Sequence, residues 1–345
     1  MKIVVTGGAG LVGTECCNLF GNAGDSVVSI DNYQRGKIFG ELGNTEENVE
    51  KILSGSDNVI HVEADIRDIE TIGKYLKEAD AVIHTAAQPS HPRSVEIPAE
   101  DFSINVVGTF QLLDFLRKNN PKCIFIHCST NKVYGDNPNR LALIEKETRY
   151  DFKDIDAIDE NFPIDKGTHT PFGVSKTAAD LYTQEFAATY GMTTGVFRMG
   201  CITGGAAHAV ELHNWEPFFM MKNLSGENLN IYGYKGKQVR DVIHARDLAK
   251  LFKKFIENPK KGEVYNIGGG RKNTISLLEA ISLIENMTGK KMNYTIVPEA
   301  RLGDHQVYVS DIRKAQRDFD WDIEIGLEEV FREIYETLKP NYLKK

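Results

Sequence analysis

The stretch TGGAGLVG, residues 6–13, constrains this chain more than any other. It follows the apolar run Ile3–Val5 and leads into a helical pattern. In such a strand–turn–helix join, Gly7 can make the tight turn. Gly10 lets backbone approach a pyrophosphate, and Gly13 lets the helix pack on the sheet. Leu11 and Val12 open the helix, where unpaired amides can meet phosphate oxygens. A glycine turn also occurs in ordinary strand-to-helix joins. Here Asp31 ends a second strand, Val27–Ile30, with Asn32 beside it. A carboxylate at that place can accept bonds from both adenosine ribose hydroxyls and repels a 2'-phosphate. The reading is NAD rather than NADP, with nearby Arg35 keeping the second nucleotide open.

The rest of the chain continues the alternation. NVIHVE, ADAVIH and KCIFIHCST read as third to fifth strands, and Thr194–Arg198 as a sixth. Short apolar runs rich in branched residues suit parallel strands buried on both faces. The expected fold is α/β: a Rossmann-type doubly wound parallel sheet with a smaller mixed α/β substrate lobe. Residues 1–200 form the cofactor domain, with a contribution from 236–268. Residues 201–345 mainly form the lobe, from non-contiguous pieces. Helices are expected near 101–118, 173–190 and 327–338. The acid-rich stretch 137–168 reads as an insertion or flap beside the pocket. A net charge of -8 argues against a nucleic-acid partner. No apolar run spans a bilayer and no leader precedes the first strand, so a cytoplasmic protein is expected. The five cysteines have no metal or disulfide spacing, and Cys16 and Cys17 read as core.

Residues at the strand ends carry the chemistry. Asp65 and Ile66 follow the third strand and suit adenine, or Asp65 caps the next helix. Ala86, Ala87 and Gln88 follow the fourth strand, where small residues let a cofactor pass. Asn105 reads as structural support. After the fifth strand, Thr130 can bond a sugar hydroxyl or keto oxygen. Tyr134 is either a site residue or packed beneath the loop. Lys176 can bond a nicotinamide ribose and favour a neighbouring anion. Removing a proton from a hydroxyl needs an acceptor. Phe172, one turn before Lys176, has none, and His91 and His169 are candidates in its place. His208, Glu211 and His213 lack a strong ligand set, so no metal is assigned.

TGGAGLVG, Asp31, Asp65, HTAAQPS, INVVGT, STNKVYG, the lysine of FGVSK and VRDVIH occur in the order seen in one family. The chain resembles the extended short-chain dehydrogenases/reductases that epimerise or dehydrate nucleotide sugars. The resemblance covers essentially the whole chain. STNKVYGD, QPSH and GKQVRDVIH are most similar to the branch acting on CDP-linked sugars at carbon 2. It implies bound NAD, held by the glycines, Asp31 and Asp65. It makes Thr130 and Lys176 two of a catalytic trio whose third member, a tyrosine, is Phe172 here. An introduced replacement and a native phenylalanine serviced by another base both stay open. The substrate side is implied to involve Ser90, His91, Thr130 and Asn131. Arg240 and Arg301 would grip the diphosphate, and Asp304 a ribose hydroxyl. Glu211 and Asn214 are sugar or loop contacts. Asn131-Lys132 stands where dehydratases of the family carry an Asp-Glu pair, which argues for epimerisation. A different epimerised carbon and a non-catalytic NAD-binding protein remain as alternatives. Helices 101–118 and 173–190 imply a homodimer, with a tetramer as the larger option.

Overall fold

The computed structural model describes residues 1–208, 210 and 214–342. Five strands come from the first 130 residues: β1 (Lys2–Thr6), β2 (Ser26–Asp31), β3 (Val59–Glu63), β4 (Ala81–His84) and β5 (Ile124–Thr130). A short hairpin follows, β6 (Leu143–Glu145) and β7 (Tyr150–Phe152). Then come β8 (Thr194–Met199), β9 (Cys201–Thr203), β10 (Leu229–Tyr232) and β11 (Val239–His244). The last are β12 (Glu263–Ile267), β13 (Thr274–Ser276) and β14 (Tyr294–Val297).

Seven strands make one parallel sheet, in the order β12-β8-β5-β4-β1-β2-β3. Its interior strands are apolar on both faces because helices cover both: Ile3, Val4 and Val5 are all buried. From β1 the chain winds outward to β3, then returns to β4 on the other side of β1. The loops after β1 and β4 therefore diverge and leave a crevice at the carboxyl edge. This is the doubly wound α/β fold expected from the sequence.

The smaller lobe joins two little sheets to three helices. β11 lies between β9 and β13, and β10 pairs with β14. Helices Trp215–Ser225, Leu277–Thr288 and Leu327–Leu338 share a core through Met220, Ile281, Ile284 and Phe331. Within 236–268 the structure makes a division. β11 belongs to the lobe, whereas β12 extends the large sheet and the helix Ala245–Glu257 packs on the helix Leu11–Asn22.

Two segments differ from expectation. Residues 137–168 are not a flap on the pocket, and none of them lines it. Phe152 and Ile158 are buried with Val133, Tyr134, Val239, Val307, Tyr308 and Val309. Acids surround these apolar anchors in the sequence. The expected helix near 101–118 is divided into Pro98–Phe102, a wider π turn at Ser103–Gly108, and Thr109–Asn119. The long helix runs Pro171–Tyr190, with Thr170 Oγ1 capping the amide of Gly173 at 3.3 Å. Cys16 and Cys17 are core, as read.

Candidate active site

One cleft runs from the end of β2, over the crevice, into the lobe. Its first wall is the glycine turn. Gly7 has φ +71°, and a Cβ there would lie 2.6 Å from the amide of Ala86. A Cβ on Gly13 would lie 2.1 Å from the carbonyl of Gly7, so the helix rests directly on the turn. Gly10, Leu11 and Val12 line the cleft, while Gly13 faces the turn instead. Gly10 begins the helix without a side-chain cap, and no acid sits in its first turn. Those first amides lie at the cleft with no side-chain cap among the described residues, which suits an anion.

Asp31 lines the same end. It accepts from the amides of Ala9 (3.1 Å) and Tyr33 (2.8 Å). Burial raises its pKa, against those amide bonds, which lower it. Asn32 Nδ2 donates to Asp65 at 2.9 Å. Arg67 bonds both Asp65 oxygens, and its hydrogen bonds hold that carboxyl below its ordinary value. The cap of the following helix is Asp68, not Asp65. Ile66, Ala86 and Ala87 line the cleft. Gln88 does not, because its amide is spent on Ser90 O and Asp101 in a buried network that includes Asn105. Ser90 is likewise turned inward and caps the helix His91–Glu96. Those two side chains are corrected from ligand contacts to supports, and Asn105 is a support as read.

At the centre, Thr130, Phe172 and Lys176 come together from the end of β5 and one face of the long helix. Lys176 Nζ donates to the carbonyl of Cys128 at 2.7 Å, and burial lowers its pKa to about 8. Thr130 Oγ1 accepts from the amide of Lys132 at 3.2 Å. Phe172 is 7% exposed, and its amide donates to Ser94 Oγ at 3.0 Å. His91 lines the cleft, with burial and then the charge of Lys132 lowering it to about 3. His169 does not line it; both ring nitrogens sit on backbone carbonyls, of Val133 (2.8 Å) and Gly167 (3.1 Å). Tyr134 is packed beneath the loop, bonded to Asn266 at 2.7 Å.

The end of β5 runs on into Asn131 and Lys132, and the lobe supplies Arg240, Arg301 and Asp304, with Asn214 and Glu216 from one helix start. Arg240 and Asp304 form an ion pair, so Asp304 orients the guanidinium rather than pointing free at a ribose. Burial alone would raise Asp304, yet Arg240 and Lys132 hold it at about 2. The Arg301 guanidinium stacks 4.5 Å from the ring centre of Tyr232. Lys132 donates to Gly303 O at 2.9 Å, and burial lowers it to about 8. Glu211 and His213 lie outside the described residues. Among the described residues no group of three His, Cys, Asp or Glu could hold a metal ion. Sequence reading passed over Glu216. An acid in a first helical turn ordinarily caps in water, and only the fold shows this one buried.

The model of the NAD dependent epimerase/dehydratase family matches residues 3–268. The chain belongs to that family. CDP-paratose 2-epimerase from Salmonella typhi is 34% identical to this family member, over 97% of this chain and 98% of that protein. dTDP-glucose 4,6-dehydratase from Escherichia coli is 31% identical, over 99% of this chain and 93% of that one. Among solved structures, UDP-glucose 4-epimerase from Thermotoga maritima with UDP-glucose superposes with a TM-score of 0.77. It is 26% identical, with 99% of each chain covered. The cofactor of this epimerase/dehydratase-family chain is NAD. The unanswered helix amides, the open side of Gly10 and the Asp31 carboxylate fit its pyrophosphate and adenosine ribose. No helix among the described residues is long and apolar enough to cross a membrane.

Proposed function

We propose that the chain is a nucleotide-sugar epimerase that inverts carbon 2 of a CDP-linked sugar. The observation that carries this reading is the near full-length relation to CDP-paratose 2-epimerase. Asn131 and Lys132 support it, since the cleft wall beyond Thr130 offers an amide and an ammonium where dehydration calls for an acid–base pair of carboxyls. NAD, when bound, supplies the reversible two-electron acceptor that inversion at an unactivated carbon requires. The chain's own residues do the rest. Thr130 Oγ1 holds the reacting sugar oxygen. The Lys176 ammonium steadies negative charge on that oxygen and is anchored for it by Cys128. Arg240, aimed by Asp304, and Arg301 on Tyr232 hold the diphosphate, where a planar fork suits two oxygens at once.

Phe172 keeps the centre dry and takes no proton. Of His91 and His169 it is His91 that lines the cleft; burial, which lowers it to about 3, keeps it neutral and makes it a weak acceptor. The enzyme works as a homodimer through the helices Thr109–Asn119 and Pro171–Tyr190, whose outer faces expose Phe110, Val174, Leu181 and Tyr182. It works in a reducing cytoplasm, in keeping with five unpaired cysteines. The second reading, an NAD-binding protein without turnover, is favoured by Phe172 alone.

The test offers CDP-, UDP-, dTDP- and GDP-linked sugars to the chain and to Phe172→Tyr, following each ring carbon by NMR. Inversion at carbon 2 of the CDP-sugar is expected, at least about 100-fold faster with the tyrosine. Inversion at carbon 4, or loss of water, overturns the assignment. No turnover by either protein establishes the non-catalytic reading.

A further inference from the structure

The helix Trp215–Ser225 begins on the cleft, and Asn214, Trp215 and Glu216 all line it. Its first turn carries a carboxyl where an incoming diphosphate would meet the positive end of the helix. Glu216 is 1% exposed, and its Oε1 has no hydrogen-bond partner among the described residues. A buried carboxyl with an unused oxygen costs free energy unless a ligand completes it. The charged and titratable groups facing it are Arg240 on β11 and Cys201 on β9. The two helices packed on the other side of Trp215–Ser225 present apolar side chains such as Ile281, Ile284, Phe331 and Ile334. Arg240 is ion-paired with Asp304 and offsets the burial of Glu216 only in part.

Building on the nucleotide-sugar reading, we infer that Glu216 is a substrate-binding residue that meets the diphosphate as a neutral acid, donating its O–H to a phosphate oxygen. The ionised form would set a carboxylate against the diphosphate, so only the protonated form admits it. Burial, only partly countered by its own amide and Arg240, raises this carboxyl to about 8. The group is thus protonated at neutral pH and half ionised near pH 8. An arriving diphosphate raises it further by like charge and draws a proton from solvent. The device makes affinity fall with alkaline pH and ties nucleotide capture to proton uptake.

Calorimetric titration with CDP at pH 8, in buffers of different ionisation enthalpy, reads this uptake. Lys132 and Lys176, also lowered to about 8 by burial, take up protons from solvent as well when an anion approaches. The quantity assigned to Glu216 is therefore the difference between wild type and Glu216→Gln. That difference is expected to be about 0.5 proton per CDP. Glu216→Gln keeps a donor, so its affinity at pH 7 stays within about twofold of wild type. Its loss of affinity between pH 7 and 9 shrinks by about tenfold relative to wild type, the effect of ionising one contact. Glu216→Leu, which packs without a donor, is expected to bind CDP about tenfold more weakly at pH 7. Equal proton uptake by wild type and Glu216→Gln overturns the role of Glu216 while CDP binding itself leaves the nucleotide-sugar reading standing. Failure of CDP, UDP and dTDP alike to bind removes both.

Discussion

Lys176 Nζ sits 2.7 Å from the carbonyl oxygen of Cys128, which fixes the ammonium at the end of β5 beside Thr130. The price is a buried charge, lowered from 10.5 to about 8 by desolvation. Below pH 8 the folded and unfolded chains are both protonated here, and the whole cost is present. Between pH 8 and 10.5 only the unfolded chain holds the proton, so stability rises with pH across that window. Lys176→Met is therefore expected to gain about 1–3 kcal/mol at pH 7, measured by urea unfolding. The gain disappears toward pH 10.5. The same variant is expected to bind NAD about tenfold more weakly in equilibrium titrations.

Asp304 behaves with the opposite sign. Although burial opposes ionisation, Arg240 and Lys132 hold the carboxyl at about 2. Its stabilisation is complete above 3.8 and is lost as pH falls through 2, a change of about 2 kcal/mol. Asp304→Asn removes that acid sensitivity and strands the Arg240 charge, costing about 3–5 kcal/mol at pH 7. Chemical denaturation between pH 2 and 7 reads both effects. Equal slopes for the two proteins would remove the ion pair from the account.

The role proposed for Asp31 is to set nucleotide choice. Arg35, the residue that kept NADP open, donates to His208 O at 3.0 Å. Ala9 and Tyr33 donate to different oxygens of Asp31, so Asp31→Asn is expected to keep one amide contact and to lose the paired ribose acceptor. The ratio of NAD to NADP affinity should fall at least about tenfold. Fluorescence titration with the reduced nucleotides measures it.

The proposed dimer rests on an apolar stripe. The rings of Phe110 and Tyr182 meet edge to face at 5.5 Å, and Leu181 and Val174 are 47% and 57% exposed nearby. Leu181→Asp should leave the monomer folded and shift sedimentation from dimer to monomer. A wild-type monomer at micromolar concentration would contradict the proposal.

Much of this architecture was readable because parallel strands buried on both faces have a plain apolar signature. KCIFIHCST became Ile124–Thr130, and Thr194–Arg198 lengthened by one residue to Met199. Burial of single polar residues was not readable. Gln88 follows two alanines at a strand end, just where a cofactor contact is expected, yet neighbouring Asp101 and Asn105 draw it inward. Those partners are distant in sequence and arrive only with tertiary packing. Residues 137–168 misled for a related reason. Their anchors Phe152 and Ile158 are isolated among acids, and no period of two or 3.6 marks them. Asp65 illustrates the reverse, where proximity to a helix start suggested a cap that Asp68 provides.

The segment 137–168 also has a bearing on how the cleft meets its ligand. Asn139 clasps the 304–306 stretch twice, donating to Asp304 O and accepting from the amide of Gln306, both at 2.8 Å. Arg149 reaches Glu279, and Ile158 bridges to Ser310. These ties hold the 304–310 stretch and the helix Leu277–Thr288 against the segment after β5. On the proposed function they would set the spacing between nicotinamide side and diphosphate side, so that the span of the sugar becomes part of what the cleft selects.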